Sequence, residues 1–362
     1  MMHRLKRGDT FCVLPWIHSF QNLDNKHYFC CHSNLSISDP TSNETESLRQ
    51  KIWDGEKINH CNGCYNIENN NAISARQRES IRWLKNKEVA SIFAGTASPS
   101  YKPIFFDIRL DNKCNAACIT CNPYSSSLWA KELKINANET NYKLDLDTLV
   151  HAKKLYFAGG EPLIIQEYLE LIENLSKLNP EIELVINTNL SNIPDETISH
   201  LKTISKTTIV ASIDAYGPVH EYHRYPLKWD KFLRNLEKAK EAKLNIMFNT
   251  VASAVSVFGF GKLLLLEPFT NQWGVSILDN PNALKLNNIP KHLKDVAISE
   301  VDNLRNTKTY NTDIMFKKQI DLIISMINED GDPFLLSNFI KDIDTRRNLS
   351  HAEFIGVNLI EN

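Results

Sequence analysis

The chain has 362 residues and a formal net charge of −2, with 42% hydrophobic, 23% charged and 9% aromatic residues. That composition belongs to a folded protein and excludes a low-complexity chain, and the near-neutral balance advertises no polyanion partner over the whole surface. The length suits one large α/β domain with an appendage, or two domains.

The basic start, MMHRLKRGDT, is not followed by an apolar stretch of secretory-signal length. The most apolar run, FGKLLLLEPF at 260–269, is too short to span a bilayer. These features predict a soluble cytoplasmic protein, in which thiols serve as metal ligands or catalytic groups more readily than as disulfides. All eight cysteines lie in the first third, at Cys12, Cys30, Cys31, Cys61, Cys64, Cys114, Cys118 and Cys121. Cysteines used only for packing would be scattered, so this clustering points to ligand sets.

Residues 1–100 lack regular periodicity. They hold a polar loop at 34–47, a short helix in LRQKIWDG at 48–55 and a helix within ENNNAISARQRESIRWLKNKEVASIF. AGTASPSYKP at 94–103 reads as a boundary. Strands then alternate with helices. The strands are PIFFDIRL, KKLYFAGG, IELVINTN, TTIVASIDA, LNIMFNTVAS and WGVSILDN. The helices between them are SSSLWAKEL, QEYLELIENLSKL, PDETISHLKTI, DKFLRNLEKAKEA and VFGFGKLLLLEP. Six alternations predict a parallel sheet, and periodicity alone leaves open whether it is a doubly wound sheet or a barrel. Asp111, Gly159, Asn189, Asp214 and Thr250 follow strands directly, at the edge where both topologies bind ligands. From about 290 the chain reads as a helical packing appendage.

DNKCNAACITCNPYSSS, at 111–127, follows the first of these strands. Spacings of four and seven would also fit a buried helical stripe, but Asn112, Lys113, Asn115, Asn122 and Pro123 make the segment a loop. Structural zinc uses paired CxxC or Cys/His sets, and the first gap here is three residues with no histidine nearby. The CxxxCxxC loop resembles that of the radical S-adenosylmethionine superfamily, with supporting motifs in family order from about 103 to 280. The resemblance implies a partial (β/α)6 TIM-like barrel. It also implies a 4Fe–4S cluster held by Cys114, Cys118 and Cys121, with a fourth iron open to the amino and carboxylate groups of S-adenosylmethionine. Reductive cleavage would then yield a 5′-deoxyadenosyl radical. Thr120 stands where the family often has an aromatic residue.

FAGGEPL at 157–163 resembles the family's GGEP motif, which implies that Gly159, Gly160 and Glu161 hold the methionyl amine, with Pro162 also at the cofactor. Asn189, Ser212 and Asp214 are candidates for ribose or substrate contacts, although such residues also cap turns. SIDAYGPVHEYHR resembles the family's SxDGxxxxHDxxR. His220 and Arg224 share a helical face by spacing, and Arg224 suits the cofactor carboxylate or a salt bridge.

FCVLPWIHSF, HYFCCHS and KIWDGEKINHCNGCYNIE together resemble the SPASM or twitch auxiliary-cluster modules. Those modules normally follow the radical domain, whereas this segment precedes it. The resemblance implies an auxiliary 4Fe–4S cluster on Cys12, Cys30, Cys61 and Cys64, with Cys31 spare or substituting for Cys30. A zinc ribbon from the same residues is the alternative, since spacing alone cannot name the metal. The expected division is an auxiliary-cluster module over 1–100, a radical domain over 101–280 and a helical extension over 281–362. The implied partners are a peptide or small-metabolite substrate and an electron donor such as flavodoxin or ferredoxin, with no membrane. Two other readings are a non-catalytic metal-binding scaffold and an RNA-modifying radical enzyme. The latter needs a basic groove that the net charge does not advertise.

Overall fold

The computed structural model describes residues 10–69, 73–136, 146–270 and 272–361. The basic start at 1–9 and residues 70–72 of the expected ENNNA helix lie outside the described residues. Eight strands form one sheet in the order β2-β1-β3-β4-β5-β6-β7-β8. They are β1 (His18–Gln21), β2 (His27–Tyr28), β3 (Phe105–Ile108), β4 (Lys154–Phe157), β5 (Glu183–Thr188), β6 (Lys206–Ser212), β7 (Asn245–Ala252) and β8 (Gln272–Ile277). From β3 to β8 every neighbouring pair is parallel, and the sheet runs from β2 to β8 without closing. The six strands expected after residue 103 are all present, and the architecture is an α/β partial barrel.

Alternation within the strands shows which face packs. In β5, Leu184, Ile186 and Thr188 are buried under the helices, while Glu183, Val185 and Asn187 are half-buried on the concave face. β7 repeats the pattern, with Met247, Asn249 and Val251 on the partly open side. The helices supply the other half of the core. Gln166–Leu178 buries Tyr168, Ile172 and Leu175, and Trp229–Glu241 buries Trp229, Phe232, Leu236 and Ala239. Each large apolar side chain removed from water in this way stabilises the fold by about 1.5–3 kcal/mol.

Three elements differ from expectation. The helix near residue 48 begins five residues earlier, at Asn43, because Ser42 caps it through Thr45 N–H and Glu44 and Glu46 complement its first turn. The expected helix over 257–268 is two 3₁₀ segments, Ser256–Gly259 and Leu263–Phe269. Gly259, Gly261 and Pro268 interrupt a regular α-helical ladder there. The irregular N-terminal segment contributes β1 and β2. β1 pairs in parallel with β3, with His18 opposite Phe105 and Phe20 opposite Asp107.

The N-terminal segment has its own aromatic core of Phe11, Trp16, Trp53 and Phe93, whose rings lie 5.5–6.3 Å apart. Phe105 of β3 belongs to the same cluster and Tyr156 of β4 packs against it. The C-terminal helices Ile314–Asn328 and Pro333–Arg347 bury Phe316, Ile320, Ile323, Ile327, Leu336, Ile340 and Ile343 in the main core. Among the described residues, no helix is long and apolar enough to cross a membrane.

Candidate active site

The loop leaving β3 carries Cys114, Cys118 and Cys121 to the carboxyl ends of the strands. All three line one cavity of about 290 Å³, together with Thr120, Gly159, Gly160, Glu161, Asn189, Ser212 and Arg224. The cysteines are unpaired and half-buried. Burial pushes the Cys114 and Cys118 thiols up to about 12, so without a metal both are protonated. Arg224 opposes that rise at Cys118.

The two glycines after β4 let the next turn approach this loop. Gly160 N–H donates to Asp111 O at 2.9 Å, and Glu161 N–H donates to Lys113 O at 2.9 Å. A Cβ on Gly160 would lie 2.1 Å from Lys113 O, and one on Gly159, at φ +118°, would lie 2.8 Å from Asp111 O. Only glycine allows this closeness. The glycine pair thus packs on the cysteine loop and also lines the cavity.

Glu161 is 1% exposed. Its carboxylate accepts from Thr188 Oγ1 at 2.5 Å, Asn189 N–H at 2.6 Å and Leu163 N–H at 3.1 Å. Burial raises its pKa to about 7, against the lowering effect of those donors and of Arg224. Pro162 is buried at the start of the 3₁₀ turn Pro162–Ile164 and fixes the exit from the glycine pair. Asn189 donates through its side-chain amide to Asn115 Oδ1 at 3.0 Å and accepts from Ser191 N–H at 2.9 Å.

Asp214 is fully buried and absent from the cavity wall. Its carboxylate sits 2.6 Å from Arg224 Nη2 and 3.1 Å from His223 Nδ1, and it accepts from Val251 N–H at 2.9 Å. Burial alone would raise its pKa, but Arg224 and then His223 hold it well below the carboxylate range. Arg224 turns Nη1 toward Cys118 Sγ at 3.9 Å. Asp214 therefore anchors a cation beside the thiol set. His220 is buried against Trp229 and Phe232, and burial, followed by Arg224, lowers its pKa to about 3. It is a neutral packing residue and does not join Arg224 at the cavity.

Asn187, Thr188 and Asn249 also line the cavity and were not anticipated. Asn187 Oδ1 is buried without a hydrogen-bond partner, which marks it as waiting for a donor. The available signal was asparagine inside a strand, where it is disfavoured.

A second thiol group lies in the N-terminal segment. Cys12 and Cys64 are buried, and Cys30 and Cys61 half-buried. Burial raises the Cys12, Cys30 and Cys61 thiols, and each is raised further by charge on others of the four. Cys31 is exposed, and the charged neighbours that act on its thiol most are Asp107 and Arg109. The guanidinium of Arg76, 4% exposed, donates to Phe11 O and pairs with Glu68 beside the four thiols.

Among the described residues, no three His, Cys, Asp or Glu side chains gather tightly enough to grip a single ion. A tetrahedral zinc with Zn–S near 2.3 Å brings its sulfurs within about 3.8 Å of one another. The three loop thiols and the orphaned Asn187 oxygen share one cavity, a donor set that fits an iron–sulfur cluster with a ligand beside it.

Residues 108–253 match the family model of the Radical SAM superfamily. GTP 3′,8-cyclase of Clostridium botulinum is 24% identical over 154 residues, 42% of this chain and 44% of that protein. GTP 3′,8-cyclase of Campylobacter lari is 26% identical over 153 residues, 41% and 46% of the two chains. The matched region thus spans less than half the length of these curated relatives. Among solved structures, anSMEcpe with bound AdoMet superposes with a TM-score of 0.42 at 19% identity, covering 59% of this chain and 61% of that one. Streptococcus suis SuiB bound to S-adenosylmethionine gives a TM-score of 0.42 at 16% identity, covering 79% and 65%.

Proposed function

We propose, from the match of residues 108–253 to the Radical SAM superfamily model, that this chain cleaves S-adenosylmethionine to a 5′-deoxyadenosyl radical that takes a hydrogen atom from a peptide or small metabolite. The observation that carries this reading is the shared cavity of Cys114, Cys118, Cys121, the glycine pair and Arg224. When bound there, a 4Fe–4S cluster with one open iron supplies the electron that breaks the sulfonium carbon–sulfur bond.

The chain's own residues hold the reactants. Cys114, Cys118 and Cys121 give up their protons to become ligands, so metal loading releases acid. Arg224, fixed by Asp214, offsets the negative charge of the thiolates and presents its remaining donors to a carboxylate. Glu161 orders the carboxyl end of β5 through Thr188 and Asn189, and its wall position suits an ammonium neighbour. Ser212, Asn187 and Asn249 offer hydroxyl and amide groups to ribose, base or substrate.

Cys12, Cys30, Cys61 and Cys64 hold an auxiliary 4Fe–4S cluster. Four protein thiolates leave no open iron, which suits electron transfer to or from the substrate rather than substrate ligation. The external electron donor is a protein of the flavodoxin or ferredoxin class.

The test is anaerobic incubation of iron-loaded protein with S-adenosylmethionine, reductant and candidate peptides, read by mass spectrometry. Production of 5′-deoxyadenosine is expected, and its loss when Cys114, Cys118 and Cys121 are all replaced by alanine. Zinc without iron in the isolated protein, or cleavage that survives the triple substitution, overturns the reading.

A further inference from the structure

We infer that the C-terminal helix Pro333–Arg347 is part of the cysteine-loop cradle, with Arg347 as a positioning residue that fixes the loop around Cys118. This rests on the cluster-binding reading of that loop.

Arg347 ends the helix, and its side chain is 2% exposed. It crosses 230 positions of sequence to donate from Nη2 to Ala117 O at 2.8 Å. Nε donates to both oxygens of Glu132, at 3.2 and 3.3 Å. The guanidinium carbon lies 4.8 Å from the ring centres of Trp129 and Tyr225. A fork paired through Nε and Nη2 and packed on two rings is held in place.

Its acceptor belongs to a series. Ser126 Oγ donates to Ala116 O at 2.6 Å, Arg347 to Ala117 O, and Trp129 Nε1 to Cys118 O at 2.6 Å. Three consecutive carbonyls of the loop are thus each held by a side chain, from Ser126 at the loop's end, Arg347 on the C-terminal helix and Trp129 on the helix that follows the loop. On the amide side, Ala117 N–H donates to Tyr225 O at 2.6 Å and Ile119 N–H to His223 O at 2.9 Å. Tyr225 and His223 flank Arg224, whose guanidinium meets Cys118 Sγ. The same C-terminal helix grips that side too, since Asp344 accepts from Tyr222 O–H at 2.9 Å. One helix therefore braces both the thiol loop and the strand of chain that carries its cation.

Glu132 balances the Arg347 charge, so the contribution to the loop is geometric. A buried guanidinium whose Nη1 finds no partner is a costly packing choice, and the Ala117 contact gives a reason for keeping it.

The experiment uses the full chain, first free of metal. Arg347→Lys keeps the charge but not the fork, and Trp129→Phe keeps the ring but not the donor. Iodoacetamide labelling, followed residue by residue by peptide mass spectrometry, should speed up at least about threefold at Cys118 in both variants. Labelling at Cys61 and Cys64 should stay unchanged. After anaerobic iron loading, the midpoint potential of the loop cluster should shift in both variants. Equal acceleration at every cysteine would mean general loosening and overturn the inference, as would unchanged Cys118 labelling. A protein that takes up no iron but shows the selective Cys118 effect would sink the cluster reading and leave the bracing role standing.

Discussion

Arg224 Nη2 lies 2.6 Å from the Asp214 carboxylate, with Asp214 fully buried and the guanidinium only 11% exposed. Breaking such a pair from one side leaves a charge without its partner, which costs about 3–5 kcal/mol. Asp214→Asn should destabilise the metal-free protein by that order and let Arg224 drift from Cys118. Thermal melts across pH check the sign. Asp214 is held below the carboxylate range when folded, so its contribution is complete above an unfolded pKa of about 3.9 and declines below it. The gap between wild type and variant should therefore hold constant from neutral pH to about 4.

Glu161 behaves in the opposite sense. Its folded pKa is raised from 4.5 to about 7, so the folded state binds a proton that the unfolded state has lost. Across that window stability falls as pH rises, by about 3 kcal/mol in total. Glu161→Gln should flatten this slope in the metal-free protein. A slope that persists in the variant would assign it to another group.

Gly160→Ala should separate the glycine turn from the cysteine loop, because the new Cβ would lie 2.1 Å from Lys113 O. Iron content after reconstitution should drop from about eight atoms to about four, as the N-terminal thiols are untouched. An unchanged count would show that the backbone there can yield.

Replacing Cys61 and Cys64 by alanine should also halve the iron, but with a different outcome in assay. The loop site remains whole, so 5′-deoxyadenosine should still form, uncoupled from substrate conversion. Loss of all deoxyadenosine formation would mean that the two thiol groups do not act separately.

Much of this arrangement is legible in the sequence because it rests on short-range signals. Strands β3–β8 show apolar runs bounded by polar or glycine residues, and the three loop cysteines carry their spacing openly. What escaped depends on contacts between distant segments. Asp214 reads as a ligand residue until Arg224 and His223 are seen to occupy it. Glu161 reads as a free carboxylate until Thr188 and Asn189 donate to it. The start of the helix at Asn43–Trp53 was hidden because its polar first turn reads as a loop unless Ser42 is recognised as a cap. β1 has four residues and β2 two, too few for alternation to register. Arg347 carried no signal, since nothing local distinguishes a buried terminal arginine from an exposed one.

The parallel pairing of β1 with β3 has a consequence for anyone trimming the chain. A fragment starting near residue 103 would retain the loop thiols but strip β3 of its neighbour, leaving a row of bare amide and carbonyl groups along a short hydrophobic strand. Bare margins of that kind recruit other chains, so such a fragment should precipitate or self-associate even though its three loop thiols are all present.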